Sequence, residues 1–201
     1  MARLILFAAF VAAISVATFL GLWSGQFAAR FANEPETAGV GEALIGGPFT
    51  LISQHGATVT EADLLGHWSI VYFGYTFCPD VCPVTLQNVT LALEMLGGRA
   101  SRVVPYFITV DPWRDTPEVM AEYATYFHAG LKALSGTPEQ IAAAAAAFRV
   151  YYSPTERPET EDYFVDHTSI LYLLGPDGRY VSHFSHTTAV DEIADRLARA
   201  L

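Results

Sequence analysis

The sequence reads as an α/β domain with a mixed central β-sheet flanked by helices and preceded by a transmembrane helix. Three observations lead there. Buried-type apolar runs alternate with well-capped helical segments, which implies βαβ crossovers. A Pro176-Asp177-Gly178 turn joins two strand-like runs near the C-terminus, which adds antiparallel pairing. Leu4 to Trp23 carries no charge over 20 residues, the length a helix needs to cross a bilayer.

The 201-residue length suits one domain with a short appendage, and 52% hydrophobic with 16% charged residues excludes intrinsic disorder. A cleaved secretory signal would have an apolar core of about 7–15 residues and a small-residue cleavage site. The run here is longer, and Gln26 to Phe31 offers no such site. A retained membrane anchor is therefore expected over residues 1–29, a Gly-, Ala- and Glu-rich linker over 30–47, and a folded domain over 48–201. Arg3 and Arg30 flank the anchor about equally, so the positive-inside rule does not orient it. With those two set aside, nine basic and 21 acidic residues leave a charge of −12. That balance argues against a nucleic-acid partner and suits either simple solubility or a basic or cationic one.

Within the domain, Phe49–Ile52 and Ala57–Val59 flank the turn Ser53-Gln54-His55-Gly56, a hairpin signal. Trp68 to Tyr75 is a nearly continuous β-branched and aromatic run, as in a strand buried on both faces. A helix is expected from about Asp80 to Leu96, ended by Gly97-Gly98. Val103 to Val110 is a second buried strand. Thr116-Pro117-Glu118 places a cap before a first-turn proline and opens a helix to about His128. Thr137-Pro138-Glu139-Gln140 repeats the device with a capping box, ahead of six consecutive alanines. Strands are expected at Tyr163–Val165, Ser169–Leu174 and near Tyr180-Val181, and an amphipathic helix over Val190–Ala200.

Functional groups collect at the carboxyl ends of strands in open α/β sheets. Cys78 and Cys82 follow the first buried strand, and Asp111 follows the second. Residues four apart share a face of a helical turn, so both sulfurs could reach one metal ion or each other. The free N–H groups at a helix N-terminus favour thiolate, and soft thiolates suit Cu(I), Zn or an Fe–S cluster. Two cysteines alone close none of the tetrahedral sites, so a metal reading needs a further ligand. A redox pair and a plain structural disulfide remain alternatives. His167 is a candidate third ligand, with Asp166 beside it as an acceptor for its second nitrogen. The His183–His186 spacing does not guarantee convergence on a strand or loop. His55 and His67 read as turn residues, and His128 as a helix-end residue.

The motifs YFGYTFCPDVCP, VDPWRDTP and DHTSILYLLGPDG, in that order behind an apolar N-terminal segment, together resemble the Sco/SenC family. The resemblance runs from about Pro48 to the C-terminus. It implies a thioredoxin-like fold and a copper chaperone for the binuclear copper site of cytochrome c oxidase. Cys78, Cys82 and His167 would be the copper ligands. It also implies a soluble domain held outside the cytoplasm (periplasmic in a bacterium), with an upstream copper donor and the oxidase's copper-site subunit as partners. Trp113 departs from the family's usual acidic residue and is expected to pack on a helix rather than to enlarge a partner-binding patch, the alternative role. Asp111, Arg114 and Asp115 match the motif, either as ion-pairing and capping residues or as the rim of the copper pocket. The alternative function is a thiol–disulfide oxidoreductase acting on the acceptor's cysteines. Its weak points are the three-residue spacer, unlike the usual C-x-x-C, and the lack of an evident role for His167. A peroxiredoxin-type peroxidase is excluded because Tyr75 and Val71 stand where its Thr and Pro would be.

Overall fold

The structure is a computed structural model that describes residues 45–155 and 163–201. The expected anchor and nearly all of the linker lie outside the described residues. Among the described residues no helix is long and apolar enough to cross a membrane.

The strands are β1 (Thr50–Ser53), β2 (Thr58–Thr60), β3 (Trp68–Gly74), β4 (Val103–Thr109), β5 (Lys132–Ser135), β6 (Tyr152–Thr155), β7 (Phe164–His167), β8 (Ile170–Leu174) and β9 (Tyr180–Ser185). The α-helices are α1 (Val81–Leu96), α2 (Pro117–Ala124), α3 (Pro138–Ala147) and α4 (Val190–Ala200). Among the described residues, seven strands form one mixed sheet in the order β2-β1-β5-β4-β3-β8-β9. β3, β4 and β5 are parallel, and the flanking strands pair antiparallel. β6 and β7 form a separate antiparallel ribbon that pairs Tyr152 with His167.

Alternation along β3 explains why a strand without polar faces sits at the centre. Val71 and Phe73 join a core with Tyr106, Ile108 and the α3 residues Ile141, Ala144 and Ala145. Ile70 and Tyr72 join a second core with Phe107, Leu86 and Val89 of α1, Met120 of α2, and Ile193 and Leu197 of α4. Each fully buried side chain of this size contributes about 1.5–3 kcal/mol of transfer free energy. The alanine run is the thin layer that lets α3 lie close to the sheet.

Three local expectations differ from the structure. β5 was not anticipated, because four residues with an exposed lysine give too short a signal. β6 contains Pro154, which normally disqualifies a strand but is tolerated in a ribbon outside the main ladder. The helix expected to reach His128 ends at Ala124, with Thr125 as its C-cap. There the Thr125 hydroxyl donates to the Glu122 carbonyl at 2.7 Å, competing with the helical ladder.

Candidate metal centre

β3 and β4 run parallel and end together at Gly74 and Thr109, so the two following loops share one rim. The first loop carries Cys78, which is half-buried, and Cys82 sits in the first turn of α1 with no exposed surface. The free amide at the helix start supplies the link: the Cys82 N–H donates to Cys78 Sγ at 3.4 Å. Both cysteines are free thiols. Gly74 makes room for the inner one. A Cβ there would lie 2.8 Å from Cys82 Sγ and 2.7 Å from the Phe107 ring. Tyr72, two residues earlier on the same face of β3, donates its phenolic O–H to Cys82 Sγ at 3.6 Å. Burial pushes that phenol far above its ordinary range, with the neighbouring Cys82 sulfur adding to the effect, so the proton stays on.

His167 ends β7 and brings Nε2 to 3.5 Å from Cys82 Sγ. Its ring stands edge-on to Tyr75 at 5.9 Å and to Tyr72 at 6.2 Å. Nδ1 lies 3.2 Å from the Thr168 carbonyl, which only accepts. Nδ1 therefore carries a proton for that carbonyl, and Nε2 is the ring atom that faces sulfur. The acceptor is Thr168 and not Asp166, whose side chain is exposed, because successive strand residues point to opposite faces.

The three donors meet with unequal protonation. Hydrogen bonding from Cys82 holds the Cys78 thiol well below the ordinary thiol range, against the cost of burial and with help from His167 and the backbone amides of Cys82 and Asp80. The same bond, followed by burial, pushes Cys82 up. One proton is in effect shared between two sulfurs, with the more exposed one as the thiolate. Among the described residues no group of three or more His, Cys, Asp and Glu side chains is splayed as a ready-made metal shell. Cys78, Cys82 and His167 are packed onto each other by hydrogen bonds, and an ion would enter by displacing that proton.

The second loop braces the first. Asp115 is fully buried and accepts from the Thr76 amide at 3.0 Å, the Thr76 hydroxyl at 2.5 Å and the Thr109 hydroxyl at 2.6 Å. Burial raises its pKa, opposed by those threonine donors. Asp111, also buried, pairs with Arg114 and accepts from Tyr163 Oη at 2.7 Å. The Arg114 guanidinium lies over the rings of Tyr163 at 3.8 Å and Phe77 at 4.6 Å. Trp113 does not pack on a helix as expected. It is 64% exposed, because the turn that buries Asp111 and Asp115 on either side turns it outward.

The remaining histidines stand apart from the thiols. His183 pairs with Tyr180 Oη at 2.6 Å, and His186 is exposed beside the cleft at Asp80 and Val81. His55 is an exposed turn residue, His67 bonds Tyr106 Oη at 3.1 Å, and His128 accepts from the Gly130 amide. Sequence reasoning missed Tyr72, Gly74, Thr76 and Thr168. Of these only Gly74 carried a signal: an isolated glycine inside a bulky strand marks close approach of another group.

A two-thiol motif at the start of a helix, at the carboxyl end of a central parallel strand, with an imidazole facing it from a side ribbon, defines a thioredoxin-like α/β domain. The sequence model described as SCO1/SenC matches residues 37–201. The chain belongs to the SCO1/SenC family. It is 45% identical over 161 residues to the mitochondrial protein SCO1 homolog of Mus musculus, covering 79% of this chain and 57% of that protein. It therefore spans little more than half of that relative. A structure of Bradyrhizobium japonicum ScoI with copper bound is 43% identical, with a TM-score of 0.73, covering 78% of this chain and 99% of that one. A structure of BsSco, a member of the Sco family of cytochrome c oxidase assembly proteins with a disulfide switch, is 26% identical, with a TM-score of 0.62, over 80% and 95%.

Proposed function

We propose that this protein is a copper chaperone that holds the ion through Cys78, Cys82 and His167 and delivers it to the binuclear copper site of cytochrome c oxidase. The observation that carries this reading is the convergence of two sulfurs and an imidazole nitrogen at one rim, with Cys82 Sγ 3.5 Å from His167 Nε2. Soft thiolates and imidazole suit Cu(I). The copper-bound relative at 43% identity supports the choice of metal. Copper is cargo here: three donors hold it while leaving a side open for an acceptor's ligand. Loading displaces the proton held between Cys78 and Cys82, so about one proton leaves per ion.

The membrane anchor over residues 1–29, the linker over 30–47 and the extracytoplasmic domain over 48–201 are part of this proposal. Tethering beside the acceptor raises the effective concentration for transfer. The acceptor is the oxidase's copper-site subunit, and a separate donor supplies the ion.

A thiol–disulfide reductase reading has one specific observation in its favour. Cys78 is the depressed, half-exposed thiolate that attacks a disulfide, and Cys82 is the buried resolving thiol. His167 helps hold Cys78 down, so loss of the imidazole affects both readings and exchange rate alone does not separate them. The separating experiment is Cu(I) competition against a chelator on the full chain. His167→Ala should lose copper affinity by at least about tenfold and retain a weaker two-thiolate complex, and Cys78→Ser and Cys82→Ser should each lose tight binding. If His167→Ala holds copper as the parent does, the three-ligand reading is wrong and the reductase reading moves ahead.

A further inference from the structure

We propose that Tyr72 is a positioning residue that favours the reduced form of the Cys78–Cys82 pair by donating its phenolic O–H to Cys82 Sγ. The inference rests on the reading that this pair is the working pair. Tyr72 is 1% exposed in the middle of β3, with its hydroxyl turned away from bulk solvent. The sulfur at 3.6 Å is the acceptor its geometry selects. Thr85, the other polar side chain beside it, gives its own proton to the Val81 carbonyl at 2.7 Å and keeps its oxygen as a competing acceptor for the phenol.

The reduced Cys82 sulfur, which shares one proton and one negative charge with Cys78, accepts such a proton. A disulfide sulfur carries less charge and accepts poorly. Oxidation therefore weakens the bond of a buried donor and leaves it the Thr85 oxygen, a cost that falls on the disulfide form alone. With oxidised glutathione as the oxidant, the two thiols become one disulfide and two glutathione thiols are released, so electrons and protons balance. The tyrosine shifts this equilibrium toward the open pair, the only form with sulfurs free for an ion or for another disulfide.

Tyr72→Phe removes one oxygen and keeps the ring contacts with Phe107 at 6.0 Å and His167 at 6.2 Å. The full chain, free of copper, is equilibrated in glutathione buffers, and its thiols are trapped by alkylation and counted by mass. The expected result is a disulfide favoured by about tenfold over the parent, which corresponds to a potential about 30 mV more negative. Tyr106→Phe is the control. Tyr106 is a buried tyrosine on the other face of the sheet, donating to the Asp63 carbonyl at 2.8 Å. Its loss should lower stability and leave the thiol equilibrium alone. An unchanged or more positive potential in Tyr72→Phe overturns the proposal, as does an equal shift in Tyr106→Phe, which would mark a general packing effect. No copper enters the measurement, so failure of the chaperone reading and failure of this one appear in different experiments.

Discussion

The two cysteines sit in opposite surroundings although only three residues separate them. Cys82 is enclosed by Gly74, Phe107, Tyr72 and His167, with no exposed surface. Cys78 lies half-exposed between Phe77, which is 44% exposed, and the Asp80 amide. Beyond it stand Arg114 over the Phe77 ring and the outward Trp113. One half of the site is a fitted socket and the other is an open face. Under the proposed chaperone reading the socket would fix one sulfur, and the open sulfur would be the one an acceptor reaches. It also follows from ordinary folding. The strand and the first helical turn belong to the core, whereas the loop between them is braced from outside by the Asp115 network.

The largest effect should come from filling the socket. Gly74→Ala places a methyl group where Cys82 Sγ and the Phe107 ring already stand. Overpacking of this kind costs about 1–3 kcal/mol. Urea denaturation should show that loss, and Cu(I) affinity should fall with it because the sulfur is displaced. Unchanged stability and binding would mean that the socket is looser than described.

The asymmetry of the two thiols gives the next effect. Cys78 is held well below its ordinary range, first by the Cys82 hydrogen bond. Below its ordinary pKa a thiol loses reactivity about tenfold per pH unit, because only the thiolate attacks. Iodoacetamide should therefore label Cys78 of the reduced, copper-free chain at nearly the same rate from pH 8 down to pH 6, with Cys82 unreactive throughout. Peptide mapping that finds Cys82 labelled first would reverse the assignment.

Trp113→Ala should produce the smallest change in the isolated protein. The side chain is 64% exposed, so stability should stay within about 0.5 kcal/mol. If the open face meets the acceptor, copper transfer to an acceptor fragment should slow several-fold while affinity for the ion holds. An unchanged transfer rate would take Trp113 out of the meeting surface.

The same contrast describes how much the sequence disclosed. The Trp68–Tyr75 run, the capping signals at Thr116 and Thr137, and the terminal hairpin are local patterns, and all three correspond to elements of the fold. Position relative to strand ends pointed to the cysteines. His167 was a candidate because of its motif, and no local pattern says that β7 leaves the main sheet and carries it to Cys82. The socket was illegible for the same reason. Tyr72 reads as one more aromatic in a buried strand, and its hydroxyl acquires a role only when α1 folds back over β3. Trp113 was misread because a large aromatic is usually buried, whereas here two buried aspartates on either side set the turn.

The most direct test of the central claim is copper K-edge X-ray absorption of the reduced full chain loaded with one equivalent of Cu(I). Shared ligation by Cys78, Cys82 and His167 predicts a shell of two sulfurs and one nitrogen, with the nitrogen lost in His167→Ala and the sulfurs kept. A sulfur-only shell in the parent, or a spectrum that His167→Ala leaves unaltered, would contradict it.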